Sequence, residues 1–90
     1  MLFNVFEWDE GNVEHIVMHN VIPEEVEEAC MNRPYVRRTA DMRYLVYGAT
    51  YSGRYVFIVG VNKGKGIFRT ITARDMTERE KSLYKRRHEK

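Results

Sequence analysis

This sequence has a single cysteine, two prolines and no apolar run approaching the roughly 18 residues a membrane-spanning helix needs. With no second thiol in the chain, Cys30 leaves no internal disulfide to form, which fits a reducing compartment and a cytoplasmic location. No membrane partner is expected. The stretch from Met1 to Asp9 lacks the basic n-region and apolar h-region of a secretory signal. Metal signatures are thin. His15 and His19 stand at i, i+4 and would share one helical face, but no further Cys or His stands where it would complete a zinc site. Lys63-Gly64-Lys65-Gly66 lacks the lysine-threonine ending of a phosphate-binding loop and does not open onto a helix. Neither a metal nor an organic cofactor is expected.

What is present describes one globular domain over residues 1–90. Hydrophobic residues make up 43% and charged ones 31%, a balance that folds rather than staying disordered. The net charge of +2 hides an asymmetry. Residues 1–45 hold four Lys/Arg and nine Asp/Glu, residues 46–90 eleven and four, so −5 faces +7. One consequence is an acidic face that repels nucleic acid and a basic face that attracts phosphate. The plainer consequence is a set of ion pairs crossing between the halves.

Pattern and caps predict the elements. Leu2–Glu7, with Phe3, Val5 and Phe6, reads as a strand, and Asp9 as the N-cap of a helix whose apolar stripe is Val13, Ile16 and Val17. Asn20 suits the left-handed residue that stops it. Pro23 opens a second helix with Glu24 and Glu25 in its first turn, buries Val26, Ala29 and Cys30, and yields to Pro34. Tyr35–Arg38, Arg43–Gly48, Arg54–Val61 and Ile67–Arg74 read as strands. Ser52-Gly53 marks a hairpin, and residues 62–66 form a loop. The third strand of these is apolar enough to be buried on both faces. Thr77-Glu78-Arg79-Glu80 is a capping box that starts a basic last helix anchored by Leu83 and Tyr84. The expected fold is α+β, in the order β-α-α-β-β-β-β-α: two helices on a small antiparallel sheet, with a basic C-terminal helix.

Cleaving RNA without a metal takes a base for the 2′-hydroxyl, an acid for the leaving 5′-oxygen and cations for the charge on phosphorus. His15 or His19, with Arg54, Arg69 or Arg74, could supply such a set. Taken alone, these residues favour His15 packed at the helix–sheet edge and His19 interacting with the helix C-terminus. The basic tip at Lys63 and Lys65 and the run Lys85-Arg86-Arg87 could touch a phosphate backbone, and tyrosines among the arginines could stack on bases. Trp8 reads more readily as a core anchor.

Several segments form a familiar series: Phe6-Glu7-Trp8-Asp9, Asn12-Val13-Glu14-His15-Ile16, His19-Asn20-Val21, Pro23-Glu24-Glu25-Val26-Glu27, Tyr44-Leu45-Val46-Tyr47-Gly48, Gly53-Arg54-Tyr55, and Ile71-Thr72-Ala73-Arg74-Asp75-Met76-Thr77-x-x-Glu80-x-x-x-Tyr84. In this order and over nearly the whole chain, the sequence resembles the BrnT-type toxins (the DUF497 group) of type II toxin–antitoxin systems. It departs from many of them in having Asn12 near a lysine position and Met18-His19-Asn20 in place of a Lys-His-Gly turn. The resemblance implies a RelE-like fold and metal-free RNA cleavage that arrests translation. It also implies RNA as substrate and a cognate antitoxin as protein partner. Trp8, His15, His19, Arg54, Arg74, Glu80 and Tyr84 match the pattern. Arg54 and Arg74 are the candidates for phosphate and transition-state charge, and His15, His19 or Tyr84 for proton transfer. Trp8, Lys63, Lys65, Arg69, Lys85, Arg86 and Arg87 are the candidates for RNA contact. The alternatives are a non-catalytic module that binds RNA or protein and a small oligomerisation domain. Homo-oligomerisation is left open.

Overall fold

The computed structural model describes residues 3–88. Leu2, read above as the start of the first strand, lies outside that range. The elements are β1 (Val5–Glu7), α1 (Glu10–Val17), α2 (Pro23–Met31), β2 (Tyr35–Arg38), β3 (Arg43–Ala49), β4 (Tyr55–Gly64), β5 (Ile67–Asp75) and α3 (Glu78–His88). The architecture is α+β in the expected order.

Local chemistry explains the helix ends. The Asp9 carboxylate accepts the Asn12 N–H at 3.2 Å, and the Asn12 side-chain carbonyl accepts the Asp9 N–H at 2.9 Å. Asn12 is buried, and its amide donates to the carbonyls of Glu7 (2.9 Å) and Thr70 (3.1 Å). One side chain therefore starts α1 and ties it to β1 and β5. At the far end Asn20 adopts φ 60°, with Asn20 N–H bonded to Val17 O at 2.9 Å and Val21 N–H to Ile16 O at 3.1 Å. That is a Schellman stop, sealed by Ile16 against Val21 in the core. Pro23 opens α2, and the Glu25 carboxylate accepts the Ile22 N–H at 3.1 Å.

The five strands lie in the order β1-β5-β4-β3-β2. Neighbours from β2 to β5 are antiparallel, as expected, but β1 joins β5 in parallel, pairing Val5 with Ile67 and Glu7 with Arg69. The sheet is thus mixed, because the chain returns to β1 only after four strands and arrives in the same direction. The expected loop at 62–66 is shorter than read. β4 continues to Gly64, and the turn proper is Lys65-Gly66, both at positive φ.

Pleating divides the apolar residues between two faces. Val46, Val56, Ile58, Phe68 and Ala73 meet Ile16, Val21, Val26, Ala29 and Cys30, so α1 and α2 cover one face. Close approach makes glycine necessary twice. A Cβ at Gly48 would come within 2.4 Å of the Ala29 carbonyl, and one at Gly60 within 2.1 Å of the Phe68 ring. The other face carries Leu45, Tyr47, Tyr55 and Phe57 and is covered by α3 through Leu83 and Tyr84, with Met76 beside them. β4 is accordingly fully buried along Val56, Ile58 and Gly60 but only half-buried along Tyr55, Phe57, Val59 and Val61. No described helix is long and apolar enough to cross a membrane.

Candidate nucleic-acid interface

The α3 face is built on one carboxylate. Glu80 N–H donates to the Thr77 hydroxyl at 3.2 Å, and the Thr77 N–H donates to Glu80 Oε1 at 2.8 Å, which completes the capping box. The same carboxylate takes both guanidinium nitrogens of Arg74, at 2.8 and 3.0 Å. Arg74 lies 4.5 Å above the ring of Phe57, its cross-strand partner, and also donates to the Asp75 carbonyl. The guanidinium holds the Glu80 carboxyl below the usual carboxylate range, and the carboxylate pushes Arg74 up. The β5–α3 corner is thereby fixed before any ligand arrives.

Beyond that corner α3 lays cations over aromatic rings. Lys81 and Lys85 sit 5.9 and 5.3 Å from the Tyr55 centroid, and Arg87 sits 5.1 Å from that of Tyr35. The two lysines are one helical turn apart and so straddle one ring. Tyr84 is 6% exposed, meets Tyr55 edge-on at 5.9 Å and stacks on His88 at 4.1 Å. Burial pushes its phenol pKa up. The His88 Nε2 meets the Arg33 carbonyl. A cleft of about 470 Å³ opens beside Tyr55, lined also by Gly53, Arg54, Asp75 and Lys81. Among the described residues, Lys85, Arg86 and Arg87 form no ion pair, and the same holds for Lys63 and Lys65 at the β4–β5 tip.

The arginines read from sequence as phosphate ligands are held differently. Arg54 donates to Asp75 at 2.7 Å, to the Asn20 carbonyl at 2.7 Å and to both Glu25 oxygens at 2.9 and 3.1 Å. It clamps the α1–α2 turn and α2 to the end of β5, and it holds the Asp75 carboxyl below its usual range. Arg69 bonds Glu7 at 3.1 Å and Asp9 at 2.8 Å. Three of these four pairs, all but Arg54–Asp75, cross between the acidic and basic halves of the chain, so the charge asymmetry is spent partly on internal ties and partly on cations left facing solvent.

The candidate proton-transfer residues do not converge. His15 and His19 are exposed on α1 and just beyond it, with their rings 5.8 Å apart, on the side of the sheet opposite α3. Arg74 and Tyr84 lie on the α3 side, and Arg54 stands at the edge between the two. Trp8 packs against the main core and donates its indole N–H to Glu27 at 2.8 Å. Sequence reading passed over His88, Tyr55 and Lys81. A signal for the first was available in Tyr84-x-x-x-His88, an i, i+4 pair on one helical face. Among the described residues no three His, Cys, Asp or Glu side chains come together as metal ligands.

A family model described as "Ribonuclease toxin, BrnT, of type II toxin-antitoxin system" matches residues 8–80. The chain belongs to the BrnT toxin family. Membership implies a ribonuclease toxin with RNA as substrate and an antitoxin as partner. The matched span runs from Trp8 to Glu80, so it takes in both sheet faces, the Arg54 clamp and the Arg74–Glu80 corner. Searches among curated proteins and among solved structures returned no significant match.

Proposed function

We propose that this BrnT family member cleaves RNA on its α3 face, without a metal, and that a cognate antitoxin neutralises it in the cytoplasm. The observation that carries the placement is that Lys85 and Arg87, without carboxylate partners among the described residues, lie over Tyr55 and Tyr35, with Lys81, paired to Glu78 at 3.3 Å, beside them. Phosphate charge and base stacking both find their complements there at two rings, Tyr55 and Tyr35, whereas the β2–β3 side offers one such pair, Arg38 at 6.0 Å from Tyr44. In this reading the cleft beside Tyr55 takes a nucleotide, with Tyr55 against the base and Lys81 and Lys85 toward its phosphates. The 2′-oxygen attacks phosphorus and loses its proton, the bond to the 5′-oxygen breaks, and that oxygen takes a proton up. Products are a 2′,3′-cyclic phosphate and a 5′-hydroxyl. Tyr84 and His88, stacked at 4.1 Å beside that cleft, are the donor and acceptor in this reading, and RNA must displace the Arg33 carbonyl from the His88 Nε2 to use the imidazole. His15 and His19 face the other way and take no part.

The test is cleavage of single-stranded RNA by the purified chain in the presence of chelator. Tyr84→Phe and His88→Ala are each expected to slow cleavage by about 100-fold or more. A double His15→Ala/His19→Ala variant should cleave at the parent rate. Slow cleavage by the double variant, with Tyr84→Phe unimpaired, would move the chemistry to the α1 side.

A second reading, binding without cleavage, is favoured by one observation. Arg54, Arg69 and Arg74 are each already held by carboxylates, which leaves fewer guanidinium groups for the charge that develops on phosphorus. RNA that is retained but intact in the same assay would support it.

A further inference from the structure

The outer side of α1 and α2 carries the opposite chemistry. Residues 1–32 contain eight Asp/Glu and no Lys or Arg. Some of these carboxylates are engaged: Glu7 and Asp9 by Arg69, and Glu25 by Arg54. Glu10, Glu14 and Glu24 remain exposed, with no ion pair among the described residues. Glu10, Glu14 and then Val17 and Met18 follow one another at helical spacing, so they form one outward stripe of α1. The stripe ends in apolar surface: Val17 is 50% exposed, Met18 78% and Ile22 46%. Three exposed large apolar side chains within six residues, where the Schellman stop turns the chain from α1 into α2, give a compact apolar knob rimmed by carboxylates. Methionine adapts to whatever packs on it.

From this surface we infer a docking site for a basic amphipathic helical segment of a partner protein, with an apolar stripe seated on Val17, Met18 and Ile22 and flanking Lys/Arg set against Glu10, Glu14 and Glu24. Charge complementarity selects the occupant. The carboxylates repel nucleic acid and attract a cationic helix, while the apolar knob needs a nonpolar stripe to cover it. The site lies on the opposite side of the sheet from α3, so its occupant leaves the RNA-facing surface open. The inference goes beyond the RNA reading and does not depend on that chemistry.

The probe is a pair of helical peptides of about 18 residues, one with leucines at i, i+3, i+4 spacing and lysine elsewhere, the other with glutamate in place of lysine. Binding to the full chain is followed by titration calorimetry and by the methyl NMR signals of its methionines. The lysine peptide should bind at least tenfold tighter than the glutamate peptide and shift Met18. Met18→Asp should weaken it at least tenfold, and Glu10→Lys/Glu14→Lys/Glu24→Lys should reverse the preference. All substituted side chains are exposed, and unchanged thermal unfolding confirms that the variants fold. Equal binding of both peptides, no binding of either, or shifts confined to Met76 on the α3 side would overturn the inference. So would self-association of the free chain, seen by sedimentation and lost in Met18→Asp, because a second copy would then be the occupant. Cleavage or binding of RNA should be the same in Met18→Asp as in the parent, so failure here and failure of the RNA reading are seen in different assays.

Discussion

Glu80 does two jobs with one carboxylate, capping α3 through Thr77 and gripping Arg74 with both oxygens. Glutamine at this position keeps the cap but loses the charge, whereas alanine loses both. Glu80→Ala should therefore cost about 1–3 kcal/mol at neutral pH, and Glu80→Gln a smaller part of that. The pH dependence separates the two contributions. Arg74 lowers the folded-state pKa of Glu80, so the ion pair's stabilisation is complete above the unfolded carboxyl value of about 4.3. It is lost as pH falls through the lower folded value. Urea unfolding at pH 7 and near pH 3 should show the gap between parent and Glu80→Gln closing at the acid end. A gap of unchanged size there would mean that the charge on Glu80 is not what stabilises the corner. Arg74 sits in the same arrangement, so a loss of activity in Arg74→Ala has to be read beside its stability. The Arg74–Glu80 tie joins two of the residues quoted for the family resemblance. Six positions apart, they straddle the end of a strand and the cap of a helix, and no spacing rule for either element would pair them.

Among the elements, α3 is the one held by least. Its outward side is nearly all charged, and its apolar anchorage to the sheet is Leu83 and Tyr84, with Met76 from the preceding turn, added to the Glu80–Arg74 tie at its start. By contrast β4 is paired on both sides and buries Val56 and Ile58 completely. Hydrogen exchange should find the α3 amides opening at a free energy at least about 2 kcal/mol below that of the β4 amides. Equal protection of the two would show that α3 unfolds only with the whole molecule. The start of α3, the Asn20 stop and the buried stripe of α2 were legible in sequence because each is fixed by residues within one or two turns. The face on which α3 lands was not, since Leu83 and Tyr84 mark an apolar side without saying which layer it meets. The direction of β1 was likewise hidden. Alternation in a three-residue strand carries no direction, and its partner β5 begins some sixty residues later.

At the scale of the whole molecule, the charge asymmetry visible in sequence is sorted by the fold into two sides of one sheet. Arg54, read from sequence as a candidate for transition-state charge, and Arg69, read with the cationic tail as an RNA contact, are already neutralised by Glu25 and Asp75 and by Glu7 and Asp9, and have little left for phosphate. Among the described residues, Lys85, Arg86 and Arg87 of α3 and the Lys63/Lys65 tip are free of carboxylates, as are Arg33, Arg37 and Arg38 in and beside β2, and this division has a thermodynamic signature. Each cation that replaces a counterion on single-stranded nucleic acid contributes about 0.7 to the slope of log affinity against log salt. Neutralising three in Lys85→Gln/Arg86→Gln/Arg87→Gln should lower that slope by about 2 and weaken binding to every RNA sequence alike. Lys63→Gln/Lys65→Gln should lower it by up to about 1.4, in proportion to the tip's share of the contact. Arg69→Gln should leave the slope unchanged, since its two carboxylates never gave it up to solvent ions. Binding isotherms for one RNA between roughly 50 and 200 mM salt distinguish these cases. An undiminished slope in the triple variant would place the RNA away from α3, because no loss of fold or of base stacking mimics a preserved count of released ions.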